Sequence, residues 1–441
     1  GDRYRSTVTV RRKDEMVLPV TVEARFADGT RQERQVVAKD RETQAVFESA
    51  SPIRSATIDP RHEMIEMDRL DNQSGFFPPM RFHLLTGFPS AEAIGVAWGP
   101  TVWHGDAEGM RFGAWVDGRY LPSPTFPFGI RGFEGGISYG TSDQSVAFRA
   151  GAWRRWGALG ARSRVRTLVA RDAGLFRALV SAENLATRPS NLHPFRSWSA
   201  SLEYRDRYDV VPVDPAHWSA GRTLNASIGL GLETIGPGHS ERFDLGYRHG
   251  GSVLLEAGDG DWGYDWVQGS VSQQLPRFPL GRVAWRFAAG RSFRGVPREQ
   301  LFDAAERSRL DALPLFYAND RGPLRETDHF HVPGGGGARG YAGRAILGQS
   351  LMAANVELAP GGAPLFPFAD ASRVDAAGWE GDLAGLPDPR TGEWIADAGL
   401  GARVGPLDVA FPFWLGSPDP GESPWDFRWT FSIAIANLPG L

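Results

Sequence analysis

Apolar and polar positions alternate with a period of two along most of the chain, the signature of strands with unlike faces. In Trp425–Ile435 one phase is Trp425, Phe427, Trp429, Phe431, Ile433 and Ile435, and the other is Asp426, Arg428, Thr430, Ser432 and Ala434. Leu224, Ala226, Ile228, Leu230 and Leu232 oppose Asn225, Ser227, Gly229, Gly231 and Glu233. Val283, Trp285, Phe287 and Ala289 oppose Arg282, Ala284, Arg286 and Ala288. Met110, Phe112, Ala114 and Val116 oppose Arg111, Gly113, Asp117 and Arg119. About sixteen such segments lie between 94 and 437, each long enough to cross a bilayer as a tilted strand. A soluble core would not set so many Arg, Asp, Glu and Gly opposite its apolar phase. A lipid-facing outside and a watery, charged lumen would. The pattern predicts an all-β fold: a transmembrane antiparallel β-barrel of about sixteen strands. The last segment, long, apolar and rich in β-branched residues, points to a closed seam with the first.

The first stretch reads differently. Thr7-Val8-Thr9-Val10 alternates, as does 17–26, with Val20, Val22, Ala24 and Phe26 on one face. Asp28-Gly29 supplies a hairpin turn, and 34–37 and 43–47 read as further strands. This predicts a small β-sandwich over 1–73, a turn-rich linker over 74–91, and the barrel over 92–441. Residues 295–348 carry no strand pattern; 299–313 has helix-like composition, and a glycine run follows at Gly334–Gly337. A long connection of that kind is usually functional.

Composition narrows the chemistry. The chain has 441 residues and no cysteine, so disulfides, thiol catalysis and Cys-ligated metal are excluded. Net charge is -4, which does not suggest nucleic acid as a partner. Both lysines, Lys13 and Lys39, precede residue 40, and all 15 Trp follow residue 73, so composition also changes near the expected boundary. Trp98, Trp103, Trp115, Trp153, Trp156, Trp218 and Trp262 sit near strand ends and read as interfacial girdles. A start at Gly1 reads as a processed or fragmentary chain.

The segment His329–Tyr341, followed by Asn355-Val356-Glu357-Leu358 and Phe366-Pro367-Phe368-Ala369-Asp370, resembles the barrel of BamA-type outer-membrane assembly factors, the bacterial surface antigens. The resemblance implies a sixteen-stranded barrel whose long loop, between the eleventh and twelfth strands, folds into the lumen. It further implies that Arg339, in Arg339-Gly340-Tyr341, meets acids on the next two strands, by position Glu357 and Asp370. A guanidinium fork suits a carboxylate in a confined space better than an ammonium does. The Arg-rich lumen leads one to expect that pair to be wet.

Residues 1–73 resemble the β-sandwich that follows the catalytic domain of gluzincin-class zinc aminopeptidases, on Val10-Arg11-Arg12, Leu18-Pro19-Val20, Phe26-Ala27-Asp28-Gly29, Ser51-Pro52-Ile53 and Ile58-Asp59-Pro60. The zinc motif of those enzymes is absent. His62-Glu63-Met64-Ile65-Glu66 lacks the second histidine, and His329 and His331 fall in a loop. Gly334–Gly337 has no Lys-Ser/Thr after it and is no phosphate loop. The expectation is therefore no catalytic residue, no metal and no cofactor in this chain. Its function would be a bacterial outer-membrane barrel that anchors or scaffolds a periplasmic peptidase-like module, with the N-terminal domain in the periplasm. The expected partners are outer-membrane lipid and periplasmic or outer-membrane proteins. A BamA-type translocase or insertase is the alternative, and a passive porin a further one.

Overall fold

A computed structural model describes residues 3–12, 15, 17–64, 69–75, 78–85, 90, 92–105, 109–120, 131–159, 163–172, 174–184, 195–208, 220–236, 239–252, 263–278, 281–297, 300–305, 317–321, 335–341, 346–359, 364–376, 388–404 and 407–434. The chain divides into two compact units, one of Gly1–Ala97 with Asp117–Gly132, the other of Trp98–Val116 with Phe133–Leu441.

The first unit holds five short strands, β1 (Tyr4–Arg11), β2 (Pro19–Phe26), β3 (Arg31–Val37), β4 (Glu42–Ser49) and β5 (Ile53–Ile58), then β6 (Met80–Leu84). β1 pairs with β4, and β2 lies between β3 and β5. The two sheets share one apolar core: Val10, Val20, Val22, Ala24, Phe26, Ala45 and Phe47. The predicted face of β2 is the buried one. At the β2–β3 turn Gly29 takes a φ of 87°, which a side chain would resist. Beside it Asp28 accepts hydrogen bonds from the Thr30 hydroxyl (2.6 Å) and backbone N–H (2.9 Å). These two bonds, the hydroxyl's first, hold the Asp28 carboxyl below the usual carboxylate range. β6 falls inside the stretch expected to be a bare linker. The string at His62 is a turn: the Asp59 carboxylate accepts from the backbone N–H groups of Glu63 and Met64 at 2.8 and 2.9 Å, and Met64 packs on the sandwich core.

The remaining strands are β7 (Ile94–Gly105), β8 (Gly109–Tyr120), β9 (Arg131–Gly140), β10 (Val146–Arg155), β11 (Ser163–Asp172), β12 (Leu175–Asn184), β13 (Phe195–Arg207), β14 (Gly221–Gly236), β15 (His239–Ser252), β16 (Gly263–Phe278) and β17 (Gly281–Phe293). They continue through β18 (Phe302–Asp303), β19 (Tyr317–Arg321), β20 (Leu347–Gly348), β21 (Ser350–Ala359), β22 (Leu365–Asp375), β23 (Ile395–Val404), β24 (Leu407–Leu415) and β25 (Thr430–Ala434). The strand order closes into a barrel. Each of the sixteen segments read from the sequence holds one of its strands, and β6 and β19 are two more in that order. The pairings are antiparallel between successive strands, with β17 joined directly to β21 across the long loop.

Facing follows the predicted phases. Leu224, Ile228, Leu230 and Leu232 are exposed on β14 while Thr223 and Asn225 are buried. Phe287 is 58% exposed on β17, and Met110 and Phe112 are exposed on β8 beside a buried Arg111. The outer face is thus a belt of exposed apolar side chains far larger than a water-facing protein normally carries. From β13 onward the connections 237–238, 279–280, 360–364 and 405–406 at one end are short, and 208–220, 253–262, 294–349, 376–394 and 416–429 at the other are long. Between β7 and β13 the order reverses: 121–130, 156–162 and 185–194 at the first end are longer than 106–108, 141–145 and 173–174 at the other.

Two expectations need correction. The 295–348 connection is not without strands: β18, β19 and β20 lie in it, and its described part at 300–305 is strand and bend, with no α-helix. Residues 306–316, where the rest of the helix-like composition falls, lie outside the described residues. The last strand begins later than the alternation predicts. Trp425 and Phe427 are 68% and 72% exposed ahead of Thr430, turned toward Trp414 and Phe411 on β24. A lone bridge joins Trp414 to Trp425, and the regular ladder of β24 with β25 starts only at Thr430. On its other edge β24 is bulged between Pro412 and Trp414, opposite Ala398 and Gly399 of β23.

Candidate functional site: a loop latched inside the barrel

The long loop returns to the wall in two arms. In the first, Val296, Leu301, Phe302, Ala304 and Ala305 are buried; in the second, Ala338, Tyr341, Ile346 and Leu347. Both pack on inward side chains of the wall, Tyr264, Trp266, Ala288, Leu351, Ala353, Val374, Ile395 and Leu415. Phe302 stacks on Trp266 with ring centroids 5.3 Å apart. β18 pairs with β20, and the Gly336 N–H donates to the Asp303 carbonyl at 2.7 Å. The two described arms form an apolar body set against one side of the lumen.

Its tip is the turn Arg339–Tyr341. Arg339 Nη2 lies 2.9 Å from Glu357 Oε1, and its Nε lies 3.0 Å from Asp370 Oδ2. The guanidinium sits over the Phe368 ring, 4.1 Å from its centroid. The structure thus brings Arg339, Glu357 and Asp370 together, on the turn, β21 and β22. The pair is dry, contrary to the expectation of a wet one: the Asp370 side chain is fully buried and that of Arg339 is 11% exposed. The loop's own apolar packing excludes water here, which counting lumen arginines does not reveal.

The two glycines of the tip allow this approach. A Cβ at Gly340 would run into Leu415 and Asp397, and one at Gly336 into the Ala304 carbonyl and Ser372. Tyr341 is fully buried. Its hydroxyl donates to the Ala396 carbonyl at 3.3 Å and accepts from the Ser417 N–H at 2.9 Å, which ties the tip to β23 and to the connection after β24. Arg390 covers the Tyr341 ring at 5.5 Å and pairs with Asp388 and, at 2.9 Å, with Asp419.

Three participants escaped the sequence reading. Asn355 donates to Asp370 Oδ1 at 3.0 Å and to the carbonyls of Gly336 and Gly337 at 3.2 Å. Arg286 donates to Asn355 Oδ1 at 3.0 Å and to the Gly335 carbonyl at 3.2 Å. Asp397 on β23 stands directly opposite Asp370 and is 1% exposed. All three lie on the inward phase of strands flanking the loop, so phase was the available signal. His329, His331, Pro333 and Gly334 lie outside the described residues. Among the described residues no group of three or more His, Asp or Glu is placed to hold a metal ion.

No family model matches the chain, and no curated protein matches it. Among solved structures the chain is similar to BamA from Haemophilus ducreyi lacking POTRA domains 1-3, at 15% identity and a TM-score of 0.39, over 78% of this chain and 70% of that one. It is also similar to the siderophore receptor PirA from Pseudomonas aeruginosa, at 10% identity and a TM-score of 0.28, over 97% of this chain and 79% of that one.

Proposed function

We propose that the chain is an outer-membrane β-barrel that anchors or scaffolds a periplasmic peptidase-like module, and that it carries no catalytic site itself. The exposed apolar belt supports the membrane reading, because every strand's backbone is paired within a closed sheet while its outer side chains are left for lipid. The end that carries the longest connections, 208–220, 294–349, 376–394 and 416–429, then faces outward. The observation that supports the scaffolding reading over a passive porin is the latched loop: Arg339, held by Glu357 and Asp370, pins the described arms of an apolar loop against one side of the barrel. The module it would hold rests on the resemblance of residues 1–73 to a post-catalytic sandwich.

A BamA-type translocase or insertase is the second reading, and one observation favours it. Among the described residues β25 pairs with β24 over Leu407–Ala410, against a ladder from Arg282 to Arg291 between β17 and β21, and it also pairs with β19 over Tyr317–Arg321. A ladder with fewer backbone hydrogen bonds has less to break when it parts.

Reconstitution into planar bilayers and vesicles separates the readings. The scaffold reading expects low steady conductance and no effect on the folding rate of a client barrel. A wide, stable channel would favour the porin, and accelerated client folding the insertase. In metal analysis the purified chain should hold no stoichiometric zinc, and it should cleave no aminoacyl reporter.

A further inference from the structure

The apolar belt ends, on the side of the long connections, in arginines that face outward. Residues directly opposite one another in an antiparallel pair point to the same face. Phe148, Arg171, Phe176, Asp206 and Arg222 form one such row across β10 to β14, and exposed Phe148 marks it as outer. Arg171 is exposed. Its Nε donates to the Tyr208 hydroxyl at 2.8 Å and its guanidinium covers the Tyr208 ring at 5.2 Å. Farther round, Arg291 shares the outer phase of β17 with Phe287 and Phe293, and covers the Phe293 ring at 5.4 Å. Arg294 follows at once, exposed and with a φ of 67°.

Among the described residues no acid forms an ion pair with Arg171, Arg291 or Arg294. The nearby acids have other partners, and Asp265 feels the Arg294 charge without coming within ion-pair distance of it. Asp206 lies 3.2 Å from Arg222. Asp265 accepts from the Tyr247 hydroxyl at 2.7 Å and lies 2.9 Å from His249 Nδ1. A guanidinium at the edge of an apolar belt is costly unless it meets water or an anion. A ring beneath it, as at Tyr208 and Phe293, holds the fork in place. Forked guanidinium is the group of choice for a phosphate oxygen.

We propose that this rim binds the phosphates of a phosphorylated glycolipid in the outer leaflet. Arg171 on β11 would hold a phosphate of one lipid, and Arg291 with Arg294, six strands on, a phosphate of another. The proposal rests on the outer-membrane reading and on the long connections facing outward.

The test uses the full chain, the Arg171→Gln/Arg291→Gln/Arg294→Gln variant, and Arg154→Gln as a control, an exposed arginine at the opposite end of β10. Flotation with zwitterionic vesicles first establishes that each inserts; failure of the unaltered chain to float would sink the membrane reading itself. Retention of diphosphoryl lipid A is then compared with that of phosphatidylglycerol by native mass spectrometry and titration. Lipid A should be retained by the unaltered chain and by Arg154→Gln. The triple variant should bind it at least about tenfold more weakly, the loss expected from one or more charge-assisted contacts. Equal retention by all three, or arginine-dependent retention of phosphatidylglycerol as strong as that of lipid A, would overturn the proposal.

Discussion

Strands β11–β14 and β21–β24 present the same kind of outer face, Val169, Val180, Leu202 and Leu230 in the first stretch and Met352, Val356, Leu365 and Phe413 in the second, all exposed. Their inward residues differ. The first stretch turns in Arg164, Arg166, Arg177, Glu183, Ser199, Glu203 and Ser227, with Leu168, Leu175 and Leu179 among them as apolar exceptions. The second turns in Leu351, Ala353, Phe366, Phe368, Val374, Ile395 and Leu415 around a few polar groups that hold the loop. Charges in the first stretch neutralise one another along the wall: Glu134 with Arg149 and Arg166, Glu183 with Arg164, Glu203 with Arg177 and Arg205. Ser199 there is exposed. One barrel therefore has a wet wall and a dry wall, and the loop makes the difference.

The largest effect should come from the dry wall. Phe302→Ala removes a fully buried ring stacked on Trp266, at a cost of about 3–5 kcal/mol. The barrel should still insert, with its denaturant midpoint lowered and its loop opened to protease. The same truncation on the outer face, Phe287→Ala, should shift the midpoint far less. Equal shifts would show that the loop does not pack as a core.

Next comes Arg339→Ala. With Asp370 fully buried, the loss leaves an uncompensated carboxylate, a penalty of about 3–5 kcal/mol. Protease cleavage between 296 and 340 should accelerate. Arg339→Lys should restore little, because one ammonium cannot reach Glu357 and Asp370 with the two edges of a fork.

The strands and their facing were legible because alternation is local: each residue's neighbours at i±1 and i±2 announce its phase. Arg339, Glu357 and Asp370 were legible through a motif resemblance. The dryness of the site was not. Yet the inward phase of 264–415 carries Tyr264, Trp266, Leu351, Val374, Ile395 and Leu415 where a watery lumen needs polar groups, and that breach of the rule was the available sign that something packs there. Asp397 hid because an inward aspartate looks the same whether it faces water or another carboxylate. The late start of the last strand hid because Phe427 and Trp429 keep the alternation without a ladder.

Asp397 offers a smaller and sharper test of the dry wall. It faces Asp370 across the β22–β23 ladder, and Arg339 engages Asp370. Asp370→Asn should loosen the tip, since Arg339 then loses its buried counter-charge. Asp397→Asn should leave the tip as tight or tighter, because Asp370 then no longer faces a second acid across the ladder and keeps its charge against Arg339 more readily. Loop proteolysis of the two variants measures this, and equal loosening by both would show that Asp397 also holds the arginine.

The smallest effect belongs to the wet wall. Arg164 Nε donates to Glu183 Oε1 at 2.8 Å, a geometry as good as that at Arg339. The surroundings differ: the Glu183 side chain is 32% exposed, against full burial for Asp370. Water can take over either partner's hydrogen bonds once the other is gone, so Glu183→Gln should cost no more than about 1 kcal/mol. That cost should shrink further as salt is raised, because an accessible pair is screened and a dry one is not. Denaturant midpoints for Glu183→Gln and Arg339→Ala, each at low and high ionic strength, place the two pairs on one scale. A loss at Glu183 that matched the loss at Arg339 and ignored salt would mean that the lumen is dry on both sides, and the contrast between the walls would fall.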